Sequence, residues 1–123
     1  MTFQRKKLGK EGEEAAVKFL VSNGYKIIKK NFRNYLGEID IIAEDKDTIC
    51  FVEVKTRSSD QYDSPFEAVS PKKQVKITRV AVSYLQSIDK MEAKARFDVI
   101  GIDYEKEGKE RISIVKDAFE AQY

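Results

Sequence analysis

Gly37-Glu38-Ile39-Asp40-Ile41-Ile42-Ala43 and, after a short turn, Phe51-Val52-Glu53-Val54-Lys55-Thr56-Arg57 are the stretch from which the fold is read. Both runs have the apolar, β-branched character of strands. Asp40, Glu53 and Lys55 stand inside them, and charges set among apolar residues are costly unless they have partners. The placement points to a divalent-metal site. With the turn centred on Lys46-Asp47, antiparallel pairing sets Asp40 opposite Glu53 and Glu38 opposite Lys55. The two acids would then have Cβ atoms about 4.5 to 5.5 Å apart, a like-charge pairing whose sign a bound cation reverses. A slip of one residue would send them to opposite faces, so the chemistry and the register are one expectation.

The segments around this hairpin say what covers it. In its second strand Ile49 and Phe51 share a face with Glu53 and Lys55, while Cys50, Val52 and Val54 take the other. Both faces are mainly apolar, which predicts a strand covered on two sides within a larger sheet. Upstream, Ala15, Ala16, Phe19 and Leu20 recur at helical spacing from about Leu8 to Asn23, and Gly24 stands where a helix stops. Tyr25 to Phe32 reads as a strand, with Asn34 to Gly37 connecting it to the hairpin. Downstream, Arg57 to Ser64 reads as a polar, mobile loop. Ser70-Pro71 then opens a helix to about Ser87, serine as cap and proline in the first turn. Its buried stripe is expected to be Val75, Thr78, Ala81, Val82 and Leu85, leaving Lys72, Lys73, Lys76 and Arg79 largely outside. A strand from Ala95 to Asp103, a turn at Lys106 to Lys109 and a strand from about Arg111 to Lys116 follow, and Ala118 to Tyr123 is ambiguous. Helix, three strands, helix and two strands make one α/β domain over residues 1–123.

Composition narrows the chemistry. Histidine is absent, which excludes serine-histidine and cysteine-histidine catalysis and the common zinc ligand sets. The one cysteine, Cys50, lies in an apolar run and reads as a small buried hydrophobe. No apolar run approaches the ~18 residues of a membrane span, and the amino end lacks the pattern of a secretory signal, so a cytoplasmic protein with no membrane partner is expected. The net charge is only +2, yet it is unevenly spread: residues 1–33 hold nine basic and three acidic side chains, residues 34–67 three and nine. An acidic centre flanked by basic segments suits a metal pocket on a surface that meets phosphates, although solvated helix faces also produce such runs.

A hard cation, Mg²⁺ or Mn²⁺, needs only one or two protein carboxylates when substrate phosphate supplies further ligands. Asp40 and Glu53 would be that pair, with the carbonyl of Val54 as a neutral ligand and Lys55 placed to orient water and hold transition-state charge. Arg57, Lys72, Lys73, Lys76 and Arg79 read as phosphate contacts rather than base readers.

These residues resemble the PD-(D/E)XK signature of the restriction-endonuclease-like fold. More closely, Gly12-Glu13, Gly24-Tyr25, Asn31-Phe32-Arg33, Gly37-Glu38-Ile39-Asp40, Phe51 through Arg57 and Arg96-Phe97-Asp98-Val99 resemble the bacterial YraN family, itself similar to archaeal Holliday-junction resolvases. The resemblance implies an α/β fold with an α-β-β-β-α-β core and a mixed sheet flanked by helices. It also implies Asp40, Glu53 and Lys55 at the signature positions and Glu13 as a first-helix acid, with a solvated helix acid as the alternative for Glu13. Ile39 replaces the signature proline, and Thr78 stands where some related nucleases pair a tyrosine with the glutamine matched by Gln74.

The expected function is a metal-dependent endonuclease that cleaves DNA phosphodiester bonds, DNA ahead of RNA, with branched or irregular structures implied by the resemblance alone. Resolving a junction would need two active sites and hence a homodimer. The competing expectations are a nucleic-acid-binding or scaffold domain that keeps the fold without cleaving, and a metal-free structural protein.

Overall fold

The computed structural model of the protein describes residues 3–58, 69–104 and 109–123. Helix α1 (Phe3–Ser22) is followed by strands β1 (Lys26–Asn34), β2 (Gly37–Asp45) and β3 (Thr48–Ser58), helix α2 (Pro71–Ser87), and strands β4 (Ala95–Tyr104) and β5 (Glu110–Phe119). This is the expected order of helix, three strands, helix and two strands, in which β5 follows the α-β-β-β-α-β core. The sheet runs β1-β2-β3-β4-β5, antiparallel at every pairing except the parallel β3–β4 pair. A parallel neighbour requires a crossover connection, and α2 provides it.

The two-sided burial of β3 divides the core. Ile49 and Phe51 join the cluster under α2, with Ile77, Val80, Ala81, Tyr84 and Leu85, while Cys50 and Val52 join Ala16 and Leu20 under α1. Tyr84 locks the α2 side by edge contacts with Phe32 and Phe51, at centroid distances of 5.2 and 6.1 Å. The buried stripe of α2 therefore differs from the one read from spacing. Ile77, Val80 and Tyr84 are buried, and Val75 and Val82 only half-buried, because the helix turns its aromatic residue onto β1 and β3. Cys50 is buried as expected, and burial pushes its thiol up to about 12.

Other boundaries moved for local reasons. The first helix begins at Phe3 rather than Leu8, and Gly24 follows its end at φ 88°, a conformation that suits glycine. The last strand continues past Lys116 to Phe119, which stacks on Phe97 at 4.7 Å and so resolves part of the ambiguous carboxy-terminal stretch. The loop read from Arg57 to Ser64 and the turn at Lys106 to Lys109 fall mostly outside the described residues.

One glycine sets the distance between layers. A Cβ built on Gly12 would collide with the Thr56 side-chain methyl, so glycine lets α1 lie close against β3. Glu13, the next residue, is thereby brought to the sheet.

Candidate functional site

The hairpin pairs in the register read from the sequence, from Asp45↔Thr48 to Ile41↔Val52. It then stops, one step before Asp40 and Glu53. Val54 does not take a backbone partner on β2; its N–H donates to the Asp40 carboxylate at 2.8 Å. A side-chain acceptor has replaced the ladder carbonyl, and β2 and β3 part where the two acids stand. The expected Glu38–Lys55 pairing is absent for the same reason. Glu38 instead pairs with Arg33 on β1, both in the ladder and by an ion pair of 3.1 Å.

A second irregularity lies across from Asp40. The β1–β2 ladder pairs Lys30 with Ile41 and Phe32 with Ile39, skipping Asn31 and Asp40, and Asn31 has a left-handed φ of 53°. Asparagine is among the few residues that tolerate this conformation. Alternation breaks here too: Ile39 belongs to the cluster under α2 and Ile41 to the cluster under α1. With its amide oriented to donate, Asn31 reaches both Glu13 carboxylate oxygens, at 3.2 and 3.0 Å. Glu13 is thus held at the sheet rather than left on a solvated helix face. Together with Asp40, Val17, Lys10, Lys18 and Lys30 it lines a cavity of about 370 Å³ beneath α1.

The electrostatics follow from this crowding. Burial, and then the Glu53 charge, push the Asp40 carboxyl up to about 7, while the bond from Val54 pulls it back. Glu13 is also raised, by burial first, with the Asn31 bond opposing and the charges of Glu38 and Glu53 adding. Two ammonium groups face these acids. Lys73 Nζ, from the first turn of α2, lies 2.5 Å from Glu53 Oε1, and Lys55 Nζ lies 3.7 Å from the same oxygen. Burial and the neighbouring Lys73 depress the Lys55 ammonium; at Lys73 burial also lowers the ammonium, but the contacts with Glu53 and Lys55 and the charges of Glu53 and Asp40 together raise it.

The donor chemistry fits a hard divalent ion. It is oxygen-only, and the Asp40–Glu53 repulsion is of the kind a cation relieves. Among the described residues no third Asp, Glu, His or Cys completes a metal-holding group. An ion here would be held by Asp40 and Glu53 of this chain, with the Val54 carbonyl as the candidate neutral ligand.

Residues 12–102 match the family described as "Uncharacterised protein family UPF0102". The chain belongs to the UPF0102 family. This is the YraN family that the motifs resemble. A UPF0102 protein of Syntrophus aciditrophicus is 48% identical over 120 residues, covering 98% of this chain and 94% of that one. Another, from Geobacter metallireducens, is 44% identical over the full length of both. Among solved structures, that of Pyrococcus furiosus SfsA in complex with Ca²⁺ aligns at 19% identity with a TM-score of 0.40, covering 88% of this chain and 62% of SfsA. The chain therefore spans less than two thirds of that protein.

In this UPF0102 chain the basic residues read as phosphate contacts fall into three settings. Lys72, Lys76 and Arg79 are exposed on α2. Lys73 is committed to Glu53. Arg57 is largely buried, its Nε bonded to Asp103 Oδ1 at 2.8 Å across the β3–β4 pair.

Sequence reasoning did not find the Lys73–Glu53 contact or the hold of Asn31 on Glu13. It also passed over a buried network under α1. Asp98, wholly buried, accepts from Arg96 Nε at 3.0 and 3.2 Å, from the Tyr25 hydroxyl at 3.3 Å and from the Asp117 N–H at 2.9 Å. Arg96 continues to Asp45 at 2.8 Å. The available signal was an asparagine inside a strand run and an Arg-x-Asp at the start of another, both unfavourable to strands without a specific partner.

Proposed function

We propose that this protein is a divalent-metal-dependent endonuclease that hydrolyses phosphodiester bonds of DNA, with branched or otherwise irregular structures as its substrates. One observation carries the reading. β2 and β3 part at Asp40 and Glu53, leaving two repelling carboxylates, Asp40 half-buried and Glu53 buried, with the Lys55 ammonium 3.7 Å from Glu53.

A bound Mg²⁺ or Mn²⁺ would supply Lewis acidity toward a phosphate oxygen and acidify a coordinated water. The chain's own residues do the rest. Asp40 is held in place by the Val54 N–H, so its position does not depend on the ion. Lys55 provides positive charge where a phosphorane would develop negative charge, and its partial burial strengthens that interaction. Exposed Lys72, Lys76 and Arg79 supply phosphate attraction without base readout. A junction substrate would engage two copies of the chain, and the proposed place of action is the cytoplasm. No described helix is long and apolar enough to cross a membrane.

The test is cleavage of junction, flap and linear DNA with Mg²⁺ or Mn²⁺, comparing the parent with Asp40→Asn and Lys55→Ala. Metal-dependent products from the parent, lost in both variants, support the proposal; equal activity in all three overturns it. The grip of Lys73 on Glu53 favours a second reading, a nucleic-acid-binding domain whose acidic site is neutralised by its own lysine. That reading predicts salt-dependent DNA binding without cleavage and no stabilisation by Mn²⁺.

A further inference from the structure

We infer that Lys73 is a built-in counter-ion of the candidate metal site: in the metal-free protein its ammonium holds Glu53, and a divalent cation binds by displacing it. This rests on the reading of Asp40 and Glu53 as cation ligands.

The side chain of Glu53 is only 9% exposed, and a charge so placed needs a partner. Lys55 is its neighbour along the strand but stands at 3.7 Å, near the limit of an ion pair, whereas Lys73 stands at 2.5 Å. The stronger contact comes from another element. Its origin is rigid: Ser70 caps α2 by accepting from the Lys73 N–H at 3.2 Å, and Pro71 sets the first turn. Its far end is not, because the Lys73 side chain is 38% exposed and the flexible stem can carry the ammonium outward. A fixed root with a mobile charged tip is what displacement requires. The ammonium and a divalent ion would compete for one carboxylate, since both charges are positive and the Glu53 carboxylate stands close enough to Asp40 for its charge to act on it.

The consequences have opposite signs for two measurements. Without metal, removing the ammonium leaves Glu53 with the more distant Lys55, and the fold loses stability. With metal, removing it deletes a competitor, and the ion binds more tightly. A half-exposed pair of this kind holds back apparent affinity by about fivefold. A residue that only packed would lower stability without improving metal affinity, and one that assisted the ion would weaken binding when removed.

The experiment is titration of the full chain with Mn²⁺ alone, followed by electron paramagnetic resonance, together with thermal unfolding in a chelator. Lys73→Met and Lys73→Gln are expected to lower Tm in the chelator and to bind Mn²⁺ about fivefold more tightly. Lys76→Ala, on the exposed side of the same helix, is expected to change neither. Unchanged or weaker Mn²⁺ affinity in a folded Lys73 variant overturns the inference. Glu53→Gln separates the two levels. If it abolishes Mn²⁺ binding while the Lys73 variants show no gain, the counter-ion role alone falls. If it leaves Mn²⁺ binding intact, the metal-site reading falls and this inference with it.

Discussion

Replacing Asp40 with asparagine is expected to stabilise the metal-free protein at pH 8 and to abolish its response to Mn²⁺. Folding raises this carboxyl from 3.8 to about 7, through burial first and the Glu53 charge second. Between those values the folded protein binds a proton that the unfolded chain has released. The group's contribution to stability is therefore complete below about pH 3.8 and is lost as pH rises through about 7. At pH 8 the ionised carboxylate costs the fold at most about 4 kcal/mol. Glu53 shares that cost and Asp40 is only half-buried, so about 2 kcal/mol is the expected gain on neutralising the group. Asparagine keeps an oxygen to accept from the Val54 N–H, so the local backbone arrangement survives. Urea and thermal unfolding of parent and Asp40→Asn, at pH 4.5 and 8, with chelator and with Mn²⁺, check this. The variant should be the more stable at pH 8 in chelator, by roughly 6 °C in Tm. The difference should narrow at pH 4.5, and Mn²⁺ should raise the Tm of the parent only. A variant less stable than its parent at pH 8, or stabilised equally by Mn²⁺, would refute the account of a strained carboxylate held for a cation.

Asp98→Asn should cost about 3 kcal/mol, the low end for breaking a buried ion pair because Arg96 retains Asp45. Denaturant unfolding reads it; a loss below about 1 kcal/mol would contradict a structural role for the network, and Arg96→Met combined with Asp98→Asn should cost less than the two singly added. Gly12→Ala should destabilise by about 1 to 2 kcal/mol, overpacking against the stiff Thr56 side chain outweighing alanine's better helix propensity. Thr56→Ser, which removes the offending methyl, should recover most of that loss, and no recovery in the urea midpoint would place the strain elsewhere.

What was legible in the sequence was what neighbouring residues encode. The 3.6-residue spacing of Ala16 and Leu20, the period-two alternation around Cys50 and Phe51, the Ser70-Pro71 start and the turn at Lys46-Asp47 each arise within a few positions. They were sufficient for the element order, the two-faced burial of β3, the register of the hairpin and the nomination of Asp40, Glu53 and Lys55. The tertiary structure alone decided which partners those groups take. Lys73 reaches Glu53 from twenty residues away, Tyr25 reaches Asp98 from seventy-three, and Asn31 claims Glu13 because a kink in β1 and the close approach of α1 at Gly12 bring them to one cavity. The end of the β2–β3 ladder was equally hidden, since it depends on whether Val54 bonds a backbone carbonyl or the Asp40 side chain. Periodicity records which side of an element is apolar; the choice of a polar partner is made only after those elements have packed, when burial makes an unpaired charge too costly to keep.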